Sequence, residues 1–145
     1  MPIAAVRTPP MVALVRHNSA TDHPPVVRGL FEQARQGLLD AEYATDPVDR
    51  FSSAYRAALR AAAAVLAARA RPRRRTQPTS AWVRLATLVP ELAEWSAFFT
   101  ATSARRSAAA AGASRLVTSR DADDLIRQVG DFLTLAQRAA AKALQ

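Results

Sequence analysis

Arginine is the residue type whose placement in this 145-residue chain points most directly to chemistry. The chain has 20 basic and 12 acidic residues, for a net charge of +8, and nearly all of the basic residues are arginines. The excess positive charge falls in two short stretches, residues 69–75 and residues 105–120. Because guanidinium groups bind phosphate through two parallel hydrogen bonds, both stretches are candidates for contact with a phosphate backbone.

The first stretch carries five arginines in seven residues, and the second opens with an adjacent pair. Neither has an interleaved aromatic residue for base stacking, so any contact with nucleic acid would be independent of sequence. The alternative for both stretches is an ordinary solvated surface in an arginine-biased protein. The predicted nucleic-acid-binding residues are Arg69, Arg71, Arg73, Arg74, Arg75, Arg105 and Arg106.

Histidine and cysteine are scarce enough to exclude several reaction types. Both histidines, His17 and His23, fall in the proline-rich N-terminal stretch, and the chain has no cysteine. We therefore expect no imidazole in the folded part, which excludes Ser-His and Cys-His nucleophile pairs and histidine metal sites. No catalytic residue and no cofactor is predicted, and the lack of cysteine fits a reducing cytoplasm.

Clustered carboxylates offer two interpretations. Asp121, Asp123 and Asp124 could bind Mg²⁺, but they also begin a predicted helix, where negative charge opposes the helix dipole. Glu91 and Glu94 occupy an equivalent position after Pro90. We favour the capping interpretation and predict no metal site.

The elements that position these groups are helical throughout. Residues 1–24 lack any period and predict a disordered tail, and apolar spacings of three and four then begin at Pro25. Asp46 with Pro47 predicts the start of a second helix, Ser80 or Thr79 the start of a third, and residues 118–121 a capping box before the last. Pro90 either kinks the third helix or begins a new segment.

These patterns predict an all-α fold, an antiparallel up-and-down bundle of four to five helices over residues 25–145. The chain has 34 alanines, which favour helices that approach each other closely. Trp82, Trp95, Phe98 and Phe99 recur at helical spacing and are predicted core residues, with a dimer interface as the alternative. No stretch is apolar enough for a membrane span, and we expect a cytoplasmic protein without a signal peptide.

Three stretches resemble the HEPN superfamily of helical bundles, in particular a small actinobacterial branch. They are residues 49–62, with an acidic start followed by aromatic and alanine positions, residues 104–112, and residues 119–133 of the last helix. Active members are metal-independent RNases with an arginine and a histidine four to six residues later. Arg106 fits the first position, but Ala111, Gly112 and Ala113 occupy the second.

The resemblance implies a binding or regulatory module that lacks RNase chemistry and contacts nucleic acid or a nucleic-acid processing partner. It also implies a homodimer, which the smooth alanine faces of the second helix would suit, and a protein partner encoded nearby. Two alternatives stay open: a divergent RNase that uses Arg106, and a purely protein-binding subunit of a complex.

Overall fold

The computed structural model describes residues 23–69 and 80–144, and every regular element in these two ranges is helical. The predicted all-α bundle is confirmed. No helix in the described ranges is both long and apolar enough to cross a bilayer. The α-helices are α1 (Pro25–Tyr43), α2 (Pro47–Arg69), α3 (Ala81–Leu88), α4 (Ala93–Ala110) and α5 (Ser119–Ala141), and Pro90–Leu92, Ser114–Leu116 and Lys142–Leu144 form short 3₁₀ turns.

The helices begin where their capping residues predict. Pro25 occupies the first turn of α1, where a missing N–H costs nothing. The Asp46 carboxylate accepts a hydrogen bond of 3.0 Å from the Asp49 amide at the start of α2. At the start of α3, the Ser80 hydroxyl accepts one of 3.0 Å from the Trp82 amide. Local sequence therefore fixes these boundaries.

Helix α2 lies at the centre of the bundle, and contacts at its two ends show how α1 and α5 are oriented. Arg50 in its first turns donates to the Ala41 carbonyl at the end of α1 (3.2 Å) and pairs with Asp123 near the start of α5 (2.8 Å). Arg69 at its other end donates to the Ala139 carbonyl near the end of α5 (3.2 Å). Helix α1 is therefore antiparallel to α2, and α5 is parallel to it.

Pro90 begins a new segment, which resolves the alternative that the sequence left open. Trp82 in α3 and Phe99 in α4 stack with ring centroids 4.8 Å apart. In one continuous helix, seventeen residues would separate them by about 25 Å. The chain therefore reverses at Pro90–Leu92, and α3 and α4 form a helical hairpin.

An aromatic cluster fills the space between this hairpin and α5, as the sequence predicted. Trp82, Phe99 and Phe132 are buried, and Trp95 and Phe98 are partly buried against them. Phe99 stacks or packs edge-on against the other four rings, with centroids 4.8–5.9 Å apart. The four predicted aromatic residues thus pack within the chain, as the core interpretation predicts.

The alanine face of α2 is also used within the chain. Ala57, Ala61 and Ala64 are no more than 2% exposed, because α2 packs against α1 on one side and α5 on another. The close contacts of this face are therefore intramolecular. These three alanines leave no surface for a dimer contact, and the fourth alanine of this face, Ala68, is partly buried against the same core.

One histidine departs from the prediction. His23 lies directly before α1 and is 5% exposed, and its carbonyl accepts a hydrogen bond from Arg28 (2.8 Å). The expectation that the folded part contains no imidazole is therefore wrong. Residues 1–22 of the predicted tail (including His17), residues 70–79 and Gln145 lie outside the described residues.

Candidate functional site

Arg105 is held by groups of its own chain. Its Nη2 and Nε donate to the Leu116 carbonyl at 2.7 and 3.2 Å, and Nη2 also pairs with Asp121 at 2.7 Å. Its guanidinium carbon lies 5.5 Å from the centroid of the Phe51 ring. These contacts tie the loop after α4 to the start of α5, so Arg105 stabilises this connection.

Asp121 completes a capping box at the same place. The Thr118 hydroxyl accepts from the Asp121 amide (3.1 Å), and the Asp121 carboxylate accepts from the Thr118 amide (2.9 Å). The bond from the Thr118 backbone lowers the pKa of Asp121 most, and Arg105 acts in the same direction. The capping interpretation of this carboxylate is therefore the better one.

The other two aspartates of the cluster also face cations of the chain. Asp123 pairs with Arg50 at 2.8 Å, and Asp124 pairs with Arg127 at 2.9 Å. Within residues 23–69 and 80–144 no three acidic or imidazole groups converge on a point where a metal ion would sit. All three aspartates at the start of α5 therefore form ion pairs with arginines of the chain.

Arg106 differs from its neighbour because it packs on a ring. Its guanidinium carbon lies 5.2 Å from the centroid of the Tyr55 ring, and its Nε is buried without a hydrogen-bond acceptor. The Tyr55 hydroxyl in turn accepts from the Trp82 indole N–H at 2.9 Å. Arg106 is thereby connected to the aromatic cluster through Tyr55, and sequence spacing gave no sign of this contact.

The positions where an active relative would carry its histidine form the turn that follows α4. Helix α4 ends at Ala110, and Gly112 has a φ of +122°, a conformation that a side chain rarely allows. The buried His23 is far from Arg106 and from this turn. It lies before the start of α1, beside the Arg69 end of α2, on the order of 20 Å along the bundle axis from Tyr55.

Arg69 begins the basic run and is bound at the opposite end of the bundle. Besides the Ala139 carbonyl it faces Glu91 at 3.8 Å, and Lys142 faces the same carboxylate at 3.4 Å. A backbone hydrogen bond of Glu91 lowers the pKa of this carboxyl most, and Lys142 and Arg69 lower it further. Arg71, Arg73, Arg74 and Arg75 lie outside the described residues.

The two predicted basic regions do not form one surface at their described residues. Arg105 contacts Phe51 near the start of α2, and Arg69 ends that helix eighteen residues later. At 1.5 Å per residue the two points are about 27 Å apart. A nucleic acid touching both would have to follow the length of the bundle.

Comparison with known proteins supports the resemblance found in the sequence. No curated protein and no solved structure matches the chain. Residues 41–143, from the end of α1 to the end of α5, match the SAV_6107-like HEPN family. The match spans both the arginine pair of α4 and the turn that has alanine and glycine where the histidine would stand. Since it covers well over half of the sequence, this chain belongs to the HEPN superfamily.

Proposed function

We propose that this chain is a non-catalytic HEPN module that binds nucleic acid through its arginine-rich stretch, residues 69–75. The non-catalytic part of the proposal rests on the surroundings of Arg106. A guanidinium group can hold a phosphate, but it does not lose its proton in proteins and cannot act as a base at neutral pH. Residues 111–113 supply no imidazole, and His23 lies at the other end of α2.

Internal contacts narrow the set of arginines available for phosphate. Arg69 and Arg105 each have a carbonyl and a carboxylate of the chain as partners. Breaking those bonds would oppose binding, since charge-assisted hydrogen bonds are among the stronger contacts of a folded chain. The proposal therefore rests mainly on Arg71, Arg73, Arg74 and Arg75.

Salt dependence of RNA binding tests this assignment. The affinity for a single-stranded RNA should fall with salt on a log–log plot, with a slope of roughly −0.7 per neutralised phosphate. Replacing Arg73, Arg74 and Arg75 by alanine should flatten the slope by about two units, which fluorescence anisotropy at several salt concentrations would measure.

A matched variant separates contact from net charge. Arg35, Arg127 and Arg138 are exposed on α1 and α5, lie outside both basic stretches and together carry the same charge as the three tested arginines. Their replacement by alanine should leave the slope nearly unchanged. If both triple variants flatten the slope equally, the run has no special role and the protein binds RNA by overall charge alone.

One observation favours a divergent RNase as the second candidate. The buried Nε of Arg106 has no acceptor among the described residues, and a catalytic role is one explanation for a buried polar group of this kind. In that case a side chain other than histidine would move the proton. A protein-binding subunit is the remaining alternative, and it predicts no RNA binding even at low salt.

A further inference from the structure

A groove of about 330 Å³, lined mainly by polar side chains, lies between α1 and α2. Its floor consists of Gly37 and Ala57. A Cβ atom placed at Gly37 would lie 3.5 Å from the Ala57 Cβ, so the two helices approach closely there. Longer side chains on either side stand above this floor, and six of the eight lining residues are polar or charged.

Each wall of the groove is one helical face. The lining positions are 33, 36, 37 and 40 on α1 and 53, 56, 57 and 60 on α2. Successive spacings of three, one and three positions place each set on one face of its helix. The wall from α1 consists of Gln33, Gln36 and Asp40. The wall from α2 consists of Ser53, Arg56 and Arg60.

Two arginines, Arg56 and Arg60, stand on one wall of the groove, and the other wall has a single carboxylate, Asp40. They are exposed one turn apart on α2, where like charges repel, and none of the ion pairs among the described residues includes either one. Within residues 23–69 and 80–144, Arg56 donates to the Ser53 hydroxyl alone, at 3.3 Å. By contrast, Arg35 and Arg127 each have a carboxylate three residues away. The positions within helical reach of the pair hold no acid: Ser52, Ser53, Ala57, Leu59, Ala63 and Ala64.

A single carboxylate lies at the other end of the groove. Asp40 accepts a hydrogen bond of 3.1 Å from the Gln36 amide and is not paired with an arginine. Because α1 and α2 are antiparallel and Gly37 faces Ala57, Asp40 lies beside Ser53 and Gln33 lies beside Arg60. The groove thus has a cationic end and an end rich in hydrogen-bond acceptors.

We propose that this groove binds a small phosphorylated sugar or polyol. The phosphate would lie on Arg56 and Arg60, whose guanidinium groups match its geometry. Hydroxyl groups of the ligand would donate to the Asp40 carboxylate, and the Gln33 amide would bind beside the phosphate. This site is independent of the RNA contact proposed for residues 69–75.

Amide chemical shifts of the full chain test the proposal, with glucose 6-phosphate, glucose and inorganic phosphate as probes at constant ionic strength. Glucose 6-phosphate should shift amides around Gly37 and Ala57 and bind more tightly than the other two probes. Replacing both Arg56 and Arg60 by alanine should raise its Kd at least tenfold, because two charge-assisted hydrogen bonds are lost.

Two further variants make the outcome decisive. Arg120→Ala with Arg138→Ala removes the same charge from α5 and should leave the Kd within about twofold. Asp40→Asn should weaken glucose 6-phosphate but not inorganic phosphate, which has no sugar hydroxyls. Equal loss in both double-arginine variants would overturn the proposal, as would shifts that lie outside α1 and α2. All variants alter exposed side chains, and circular dichroism would verify their fold.

Discussion

The guanidinium group of Arg106 is subject to two opposing effects. Its position over the Tyr55 ring is a cation–π contact, which contributes about 0.5–2 kcal/mol depending on exposure. Its buried Nε has no acceptor, and an unsatisfied buried donor costs about 1–3 kcal/mol. The charge of Arg106 therefore adds little net stability, although its side chain lies over the Tyr55 ring.

Replacing Arg106 separates these effects. Arg106→Met keeps an unbranched side chain against Tyr55 and removes the unpaired donor, so the free energy of unfolding should be unchanged or higher by up to about 1 kcal/mol. Arg106→Ala also loses the packing and should be destabilised by about 1–2 kcal/mol. Urea denaturation measures both, and equal destabilisation of the two variants would show that the fold requires the charge.

The contacts of Arg105 and Arg106 could not be read from the sequence. Both residues were singled out by charge, yet their partners Phe51 and Tyr55 lie some fifty positions away. Nothing local distinguishes an arginine that binds a carbonyl of its own chain from one that is free for phosphate. The groove arginines, Arg56 and Arg60, were missed for the opposite reason, because they stand in an alanine-rich helix without a dense charge cluster.

Helix starts are the elements that the sequence predicted best. The caps at Asp46, Ser80 and Thr118 are formed by residues within three positions of their partners, so local sequence specifies them. The reversal at Pro90 is different. The apolar spacing on either side is the same for a kinked helix and for a hairpin, and only the stacking of Trp82 on Phe99 decides between them.

The capping box of α5 has a predicted pH dependence. The pKa of Asp121 is lowered in the folded state, so the protein gains stability from this group above the ordinary aspartate range and loses it as the pH falls through the lowered value. At neutral pH, Asp121→Asn should lower the free energy of unfolding. The difference from wild type should shrink as the pH drops below the ordinary aspartate pKa.

Denaturation curves between neutral pH and about pH 2 would measure this, with Thr118→Ala as a control that removes the other half of the box. That variant should lose about 1 kcal/mol at neutral pH. If the gap between Asp121→Asn and wild type does not narrow on acidification, the carboxylate is not what stabilises this helix start.

At the scale of the whole molecule, the alanines explain how five helices fit a chain with few large apolar residues. They let α2 be covered on several sides, and they use up the surface that the sequence had suggested for a dimer. Large apolar side chains that remain exposed are found on α1, where Leu39 and Tyr43 lie one turn apart and are 46% and 82% exposed.

We predict that the chain forms a homodimer through this part of α1. Light scattering at micromolar concentration should give twice the chain mass of 15.6 kDa. Leu39→Asp with Tyr43→Asp should give a monomer, because two charges would be buried at the interface. Val83→Asp, at an exposed position on α3, should leave the dimer intact. A wild-type monomer would contradict the prediction.

The fate of RNA bound to the protein tests the central claim most directly. End-labelled single-stranded RNA is incubated at low salt with wild type and with Arg106→Ala, and each sample is split between a native and a denaturing gel. The proposal predicts that wild type shifts the RNA and leaves it intact, because the loss of general acid–base assistance alone costs about 10²–10⁴ in rate. Cleavage by wild type that is absent from a folded Arg106→Ala variant would contradict it and identify the chain as a divergent RNase.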